Sequence, residues 1–348
     1  MKICYFGIYN PTAPRDKIYF DGLKKQGIEI LECVDSSSGL SKYFRLWKKH
    51  KNLKGEYDIL WVGYLSALLV PLAYAISSKK IIFNALASSY ETYVLDRAVY
   101  SKFSPRAWLF WVLDFFAFHL ADISLIESEE QKKFISRFFF ISSKKLKVVF
   151  TGADEEVFHP DPSTKNREEF TAVFRGMFLP ATGAEYVIEA ARILEKEDVK
   201  FLVIGWGQEL PKIENLIEKY KLTNVELVTY FLPADELRRR ILECHVMLGQ
   251  FGANKRMDRT IQHKTFEALA LGMPYITRDS LSNREILEDG GNCLFVPPES
   301  PEKIAEKIIF LKGNPEVRQR IGKGGRETFE KKVSEEVLSK EVLFLVGQ

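Results

Sequence analysis

The chain of 348 residues has few of the groups that would tie it to a metal or to thiol chemistry. Its four cysteines (Cys4, Cys33, Cys244, Cys293) are scattered, with no C-x-x-C pair and no Cys/His ligand spacing. That excludes a zinc ribbon and a disulfide framework, and reduced thiols of a cytosolic protein are the expectation. Its five histidines (His50, His119, His159, His245, His263) form no H-x-H or H-E-x-x-H pattern, and there is no D-x-D motif. No metal is therefore expected. Long hydrophobic runs are also scarce. The opening "MKICYFGIYNPT" breaks at Gly7 and Pro11, too soon for a signal peptide, and reads as a first buried strand. The apolar segment Ile59–Ile76, 18 residues without a charge, is near the lower limit for a membrane span. Gly63 and Ser66 divide it into a strand-like "DILWVG" and a helix-like "SALLVPLAYAI", so a buried strand and its covering helix are expected instead. No nucleic-acid-binding module pattern is present, and nucleic acid is not expected as a partner.

What the sequence does hold is a sustained alternation. Strand candidates in the first half are 3–8, 28–34, 58–62, 80–83, 122–126 and 146–150. In the second half they are 171–178, 199–204, 224–228, 246–251, 274–277 and 293–296. These runs are apolar throughout, as parallel strands covered on both faces are. Helical stretches fall between them: Val187, Ala190, Ala191 and Leu194 share one face, as do Ile213, Leu216, Ile217 and Tyr220. Ser300 and Pro301 read as the N-cap and first residue of a further helix. The alternation predicts doubly wound α/β structure, and it occurs twice. The length likewise suits two domains. They are expected at 1–158, with a C-terminal helix 333–348 returning to it, and at 168–332. The polar, Pro-containing stretch His159–Phe170 would be the linker, with hinge motion near 155–170. Two such domains with a cleft between them imply a ligand at the carboxyl ends of the strands.

The net charge of +3 is uneven: residues 1–150 hold 22 basic and 14 acidic residues, the remainder 28 and 33. A basic first half suits an anionic substrate or an anionic membrane face, or is ordinary surface variation. The stretch "SKYFRLWKKHKNLKG" is a basic amphipathic helix, and "AWLFWVLDFFAFHL" and "SRFFFISSKKLK" add aromatics and lysines. They read either as core-facing aromatics with solvated lysines or as a surface resting on anionic lipid.

Three stretches of the second half carry the chemistry. In "AVFRGMFLPATGAEYVIEAARIL", a strand, a loop with Gly176 and Gly183, and a helix follow one another. The helix start is a ready phosphate site, although an ordinary βα turn would read the same way. "FLVIGWGQEL" repeats the theme with Gly205 and Gly207. In "RTIQHKTFEALALGMPYITRD", Gly272 stops a short helix and Pro274 leads into a strand. Glu267 then lies near the start of that helix, where a carboxylate can accept from both hydroxyls of a ribose. His263 and Lys264 would lie near a phosphate there.

"HKTFEALALGMPYITRD" with "REILEDGGNCLFVPPESPEKIAEKI" resembles the donor-site signature of glycosyltransferase family 4, a large retaining family with the GT-B fold. "FRGMFLPATGAEYVIEAARIL", "VIGWGQEL" and "VVFTGADEEVFHP" resemble that family's Gly loop, its next strand and turn, and the run closing its first domain. "NPTAPRDKIYFDGLKKQGIEI" and "SSYETYVLDRAVYSKFS" are similar to a bacterial branch. The resemblance implies a GT-B enzyme moving a sugar from a nucleotide diphosphate sugar to an acceptor hydroxyl with retention, as in cell-surface polysaccharide or glycolipid assembly. It implies no bound metal and no cofactor beyond that co-substrate, and a cytoplasmic protein, peripheral on the inner membrane face if its acceptor is lipid-linked. Two departures stand out. The usual E-x7-E pattern has Arg259 for its first Glu, and the Gly loop has Met177 and Thr182 where an Arg and a Lys are usual. Catalytic candidates are thus Lys264, Glu267 and Arg259. Candidates for the donor are Gly176, Gly183, Gly205, Gly207, Phe231, Pro233, Lys255, His263 and Thr265, with Arg256 and Arg175 as further cations. On the acceptor side stand Asn10, Arg15, Tyr90, Asp96 and Arg97, for a glycan or lipid-linked acceptor. The alternatives are a non-catalytic nucleotide-sugar or glycan-binding scaffold, and a GT-B nucleotide-sugar epimerase.

Overall fold

A computed structural model describes residues 1–9, 14–64 and 66–347. The chain divides into two compact units, Met1–Gly152 with Glu335–Gln348, and Ala153–Ser334.

Unit 1 runs β1 (Lys2–Gly7), α1 (Pro14–Lys25), β2 (Glu29–Val34), α2 (Ser41–Leu53), β3 (Ile59–Val62), α3 (Leu69–Ile76), β4 (Lys80–Leu86), α4 (Pro105–Leu120), β5 (Ile123–Ile126), α5 (Glu129–Phe138) and β6 (Leu146–Val148). Its sheet is parallel, in the order β2-β1-β3-β4-β5-β6. Within 59–76 lie the buried strand β3 and the helix α3, and no helix among the described residues is long and apolar enough to cross a membrane. Helix starts follow the local chemistry. Ser104 and Ser128 accept hydrogen bonds from the backbone N–H groups of Ala107 and Gln131, capping α4 and α5. His119 closes α4 as a structural group, its Nδ1 2.8 Å from the Phe115 carbonyl.

Unit 2 runs β7 (Phe170–Arg175), α6 (Ala184–Ile193), β8 (Val199–Ile204), α7 (Leu210–Tyr220), β9 (Val225–Val228), α8 (Ala234–Leu242), β10 (Val246–Leu248), α9 (His263–Leu271), β11 (Tyr275–Arg278), β12 (Leu294–Val296), α10 (Pro301–Gly313) and α11 (Pro315–Thr328). Its parallel sheet has the order β12-β11-β10-β7-β8-β9, so the strand order reverses between β7 and β10. In open α/β sheets a ligand crevice opens at the carboxyl ends of such a pair. Ser300 does not cap α10; its hydroxyl donates to the Pro298 carbonyl instead.

The stretch expected to link the domains is tied into unit 2. Arg167 N–H donates to the Glu243 carbonyl at 2.9 Å, and the Asn166 amide donates to the Cys244 carbonyl at 3.0 Å. The chain passes between the units at 152–153 and 334–335 rather than near 159–170. The final helix, α12 (Glu335–Gly347), packs on α1 within unit 1. Gln26 Nε2 donates to Ser339 Oγ at 2.6 Å, and Lys25 pairs with Glu335 at 2.7 Å. Gly22 makes this approach possible, because a Cβ there would lie 2.6 Å from that of Ser339.

Candidate functional site

The site lies where β7 and β10 end. β7 finishes at Arg175, and Gly176 follows with φ +141, a backbone state that favours glycine. From α9, Lys264 and Glu267 lie on the same side of the helix at i and i+3. Arg175 forms an ion pair with Glu267, whose side chain is only 8% exposed. One carboxylate oxygen is used in this way. The other, Oε2, is buried without a hydrogen-bond partner. Lys264 is 6% exposed, and its Nζ also has no partner. It rests 4.0 Å from the centroid of the Phe174 ring. Burial, and after it the Arg175 guanidinium, pull the Lys264 pKa down to about 7, against the opposing field of Glu267. The structure thus assembles Arg175, Gly176, Lys264 and Glu267, and leaves one amine and one carboxylate oxygen free inside it.

The loops around this cluster are zipped together by glycine. Gly183, with φ +68, starts α6, and a Cβ on it would lie 2.5 Å from the backbone N of Gly252. Gly205 sits against the Gly176 carbonyl, and a Cβ on Gly207 would lie 2.7 Å from the Phe178 carbonyl. The close approach these three glycines permit is therefore between neighbouring loops, not directly toward a ligand as expected. Thr265 also departs from expectation: it is buried, with its hydroxyl 3.0 Å from that of Tyr275 in β11. Thr182 turns its hydroxyl to the Leu179 carbonyl at 2.8 Å, and Met177 is half exposed.

The remaining candidates are less deeply placed. Lys255 is exposed on a short 3-10 turn, Lys255–Asp258, that Asn254 caps. Arg259 ends that turn, half-buried, with its N–H on the Arg256 carbonyl. His263 begins α9, also half-buried. Phe231 and Pro233 are exposed beyond β9, beside the exposed Tyr230, and Trp206 is exposed beyond β8. Sequence reasoning missed Arg278. It is buried at the end of β11, donates to the Gly252 carbonyl at 2.6 Å and pairs with Asp258, bracing the loop before α9. The "ITRD" run gives no local sign of that burial.

In unit 1, Asn10 lies outside the described residues. Arg15 is not on an open loop. It is 1% exposed and donates to Asn84 Oδ1 at 2.7 Å, Thr151 Oγ1 at 2.8 Å and the Val149 carbonyl at 2.9 Å. Its neighbour Asp16, also buried, accepts from Asn84, Trp61 and the Tyr64 backbone. These contacts make Arg15 a strut within unit 1 rather than a group presented to a ligand. Tyr90 is half-buried, packs its ring 5.3 Å from that of Phe138 and donates its backbone N–H to Asp114. Asp96 ends a single π-turn, Glu91–Asp96, and Arg97 follows it with a buried Nε that has no partner. Glu91, which the sequence offered beside Tyr90, Asp96 and Arg97 for sugar hydroxyls or an acceptor phosphate, is fully buried and accepts from Gln131 at 2.5 Å.

No group of three or more potential metal ligands is found among the described residues.

Residues 156–328 match the family model described as "Glycosyl transferases group 1". An uncharacterized glycosyltransferase of Methanocaldococcus jannaschii is 28% identical over 188 residues, 54% of this chain and 49% of its own length. Spore coat protein SA of Bacillus subtilis is 25% identical over 56% of this chain and 58% of its own. The chain thus spans about half the length of the curated relatives it matches. Among solved structures, Anabaena HepE in complex with UDP and glucose superposes with a TM-score of 0.78 at 12% identity, covering 100% of this chain and 99% of that one. Sucrose-phosphate synthase from Thermosynechococcus elongatus gives 0.79 at 15% identity, covering 100% and 98%. These likenesses establish a shared two-unit fold.

Proposed function

We propose that the protein is a retaining glycosyltransferase, a reading supported by the match of residues 156–328 to the glycosyltransferase group 1 model and by the two-domain GT-B fold. It takes a hexose-type residue from a nucleotide diphosphate sugar and places it on an acceptor hydroxyl. The observation that carries this reading is the Arg175–Glu267–Lys264 cluster at the β7/β10 switch point. The free Oε2 of Glu267 suits a ribose hydroxyl. Arg175 orients that carboxylate, and the unpartnered Lys264 suits the diphosphate. The exposed Phe231 offers a face for the base. Lys255, Arg259 and His263 line the approach to α9 and add positive or neutral donors.

In the proposed reaction the bond from the anomeric carbon to the donor phosphate oxygen breaks through an oxocarbenium-like transition state. The acceptor oxygen bonds to the same face, and its proton passes to a donor phosphate oxygen. The nucleoside diphosphate leaves with that proton. The chain's own contribution is positioning and charge stabilisation, with no covalent nucleophile and no metal.

Unit 1 is assigned to the acceptor, a glycan or a lipid-linked one. In support of an anionic membrane surface, α4 exposes Trp108, Leu109, Val112 and Phe116, and its one carboxylate, Asp114, is buried. Lys102 and Arg106 are exposed beside this stripe. Such a face suits the inner, anionic leaflet of a membrane, and a cytoplasmic place at that leaflet.

The test is thermal stabilisation of the full chain by a panel of nucleoside diphosphates and their sugars, beside Glu267→Ala. A ligand at a hundred times its Kd adds about 2.7 kcal/mol. One nucleotide should shift the wild type and leave the variant unmoved. Stabilisation without turnover of any donor would favour a binding scaffold, a reading that Met177 and Thr182, in place of the usual cations, also favour. Release of an altered sugar without an acceptor would favour an epimerase.

A further inference from the structure

Lys264 is held in a state that an ordinary phosphate-binding lysine does not have. Its Nζ is enclosed by the Phe174 ring and by Gly176, where a Cβ would come within 3.0 Å of it. Glu267, one turn along α9, is turned to Arg175 instead. A buried ammonium with no hydrogen-bond acceptor is strongly disfavoured, and the neutral amine relieves that cost. The charged groups acting on it are Arg175 from β7, which repels the ammonium, and Glu267 from its own helix. Of the other elements packed on α9, β11 faces it with Tyr275, bound to Thr265, and α11 with Arg326, which donates to the Ala270 carbonyl at the far end; the turn Phe329–Val333 carries Glu330, which pairs with that Arg326. None of these supplies a countercharge to Nζ. Met177 and Thr182 leave the loop after β7 without a cation of its own, so an arriving anion meets Arg175 and Lys264.

Resting on the donor-site reading above, we propose that Lys264 is stored as a neutral amine in the empty site, and that binding of a nucleoside diphosphate draws one proton from bulk solvent onto its Nζ. The step is a protonation only: an N–H bond forms on the amine lone pair, the buffer gives up the proton, and nothing is oxidised or reduced. On release of the anion the proton returns to solvent. The site thereby makes its positive charge when the diphosphate is there to partner it.

The sign of the pH dependence follows. Below about pH 7 the amine is already charged in the empty site, and affinity does not depend on this group. Above that value the empty site is neutral and the occupied one charged, so binding weakens by up to about tenfold per pH unit.

The experiment is isothermal titration calorimetry of the full chain with UDP at about pH 8, in phosphate, HEPES and Tris, whose ionisation enthalpies differ; the slope against those enthalpies should report roughly one proton taken up per UDP. UDP is fully ionised there and contributes no proton of its own. Lys264→Arg, always charged, and Lys264→Met, never charged, should bind without uptake and with no such pH dependence. UDP binding by the wild type with no proton uptake overturns the proposal and leaves the donor-site reading intact. Uptake that persists in both variants overturns it too, by assigning the proton elsewhere. Failure of UDP and of every other nucleoside diphosphate to bind overturns both readings.

Discussion

The guanidinium of Arg175 and the carboxylate of Glu267 form an ion pair that joins the last residue of β7 to the middle of α9. The pair fixes a strand end against a helix at the point where the strand order of unit 2 reverses. It also divides the carboxylate into one committed oxygen and one free one. Truncating either partner leaves a largely buried charge uncompensated.

Arg175→Met is therefore expected to destabilise unit 2 by roughly 3 kcal/mol, and Arg175→Met with Glu267→Gln by clearly less than the sum of the two single changes. Urea unfolding of the four proteins in this cycle measures the coupling. Additive losses would show that the pair does not hold the strand end to the helix.

Lys264 makes the stability of the empty protein depend on pH with a definite sign. Its folded value is about 7, against 10.5 for the free side chain. Between those values the unfolded chain binds the extra proton, so this group's contribution makes stability rise with pH through that window, by on the order of 1 kcal/mol per unit. Lys264→Met should remove that rise and be stabilising relative to wild type near pH 7. Chemical denaturation of both proteins at a series of alkaline pH values, without nucleotide, reads the difference directly; parallel curves would mean that the amine is charged in the folded state.

Arg15 provides a contrast between a structural cation and a substrate-binding one. Arg15→Met leaves the buried Asn84, Thr151 and Val149 acceptors without their donor. A loss of about 3–5 kcal/mol is expected, with nucleotide binding by the folded fraction unchanged. Far-UV circular dichroism melts beside calorimetry with UDP separate the two effects. A stable variant with weakened acceptor binding alone would return Arg15 to the acceptor side.

The exposed face of α4 yields a prediction about membranes. The chain should co-sediment with vesicles containing anionic phospholipid, weakly or not at all with neutral ones, and less as salt rises. Trp108→Ser with Phe116→Ser should abolish sedimentation while leaving the melting curve in place, because both side chains are largely exposed. Equal binding to neutral and anionic vesicles would remove the electrostatic part of the argument.

Much of this architecture was legible without coordinates. Each of the twelve strand candidates has its counterpart in the two parallel sheets, within a few residues at either end. Apolar runs of that kind cannot be exposed on either face, and the spacing between them leaves room only for crossover helices. Gly272 marks the end of α9 because its φ of +65 is a conformation that favours glycine. The position of Glu267 on that helix follows from the same counting. These features depend on a residue and its near neighbours, and near neighbours are what a sequence displays.

The tertiary structure alone decided which polar groups are satisfied and which are not. Arg15 looked like a loop cation because its local sequence is Pro-rich. It is buried because Asn84 and Thr151, far along the chain, come to meet it. Gly183 and Gly205 looked like openings for a ligand, and each instead admits the backbone of another loop. Lys264 and Arg175 were both legible as cations. That one is paired and the other is buried without a hydrogen-bond partner depends on desolvation and on contacts made by residues about ninety positions apart in the chain. Such energies arise from the full three-dimensional surroundings of a charge, and no local pattern encodes them.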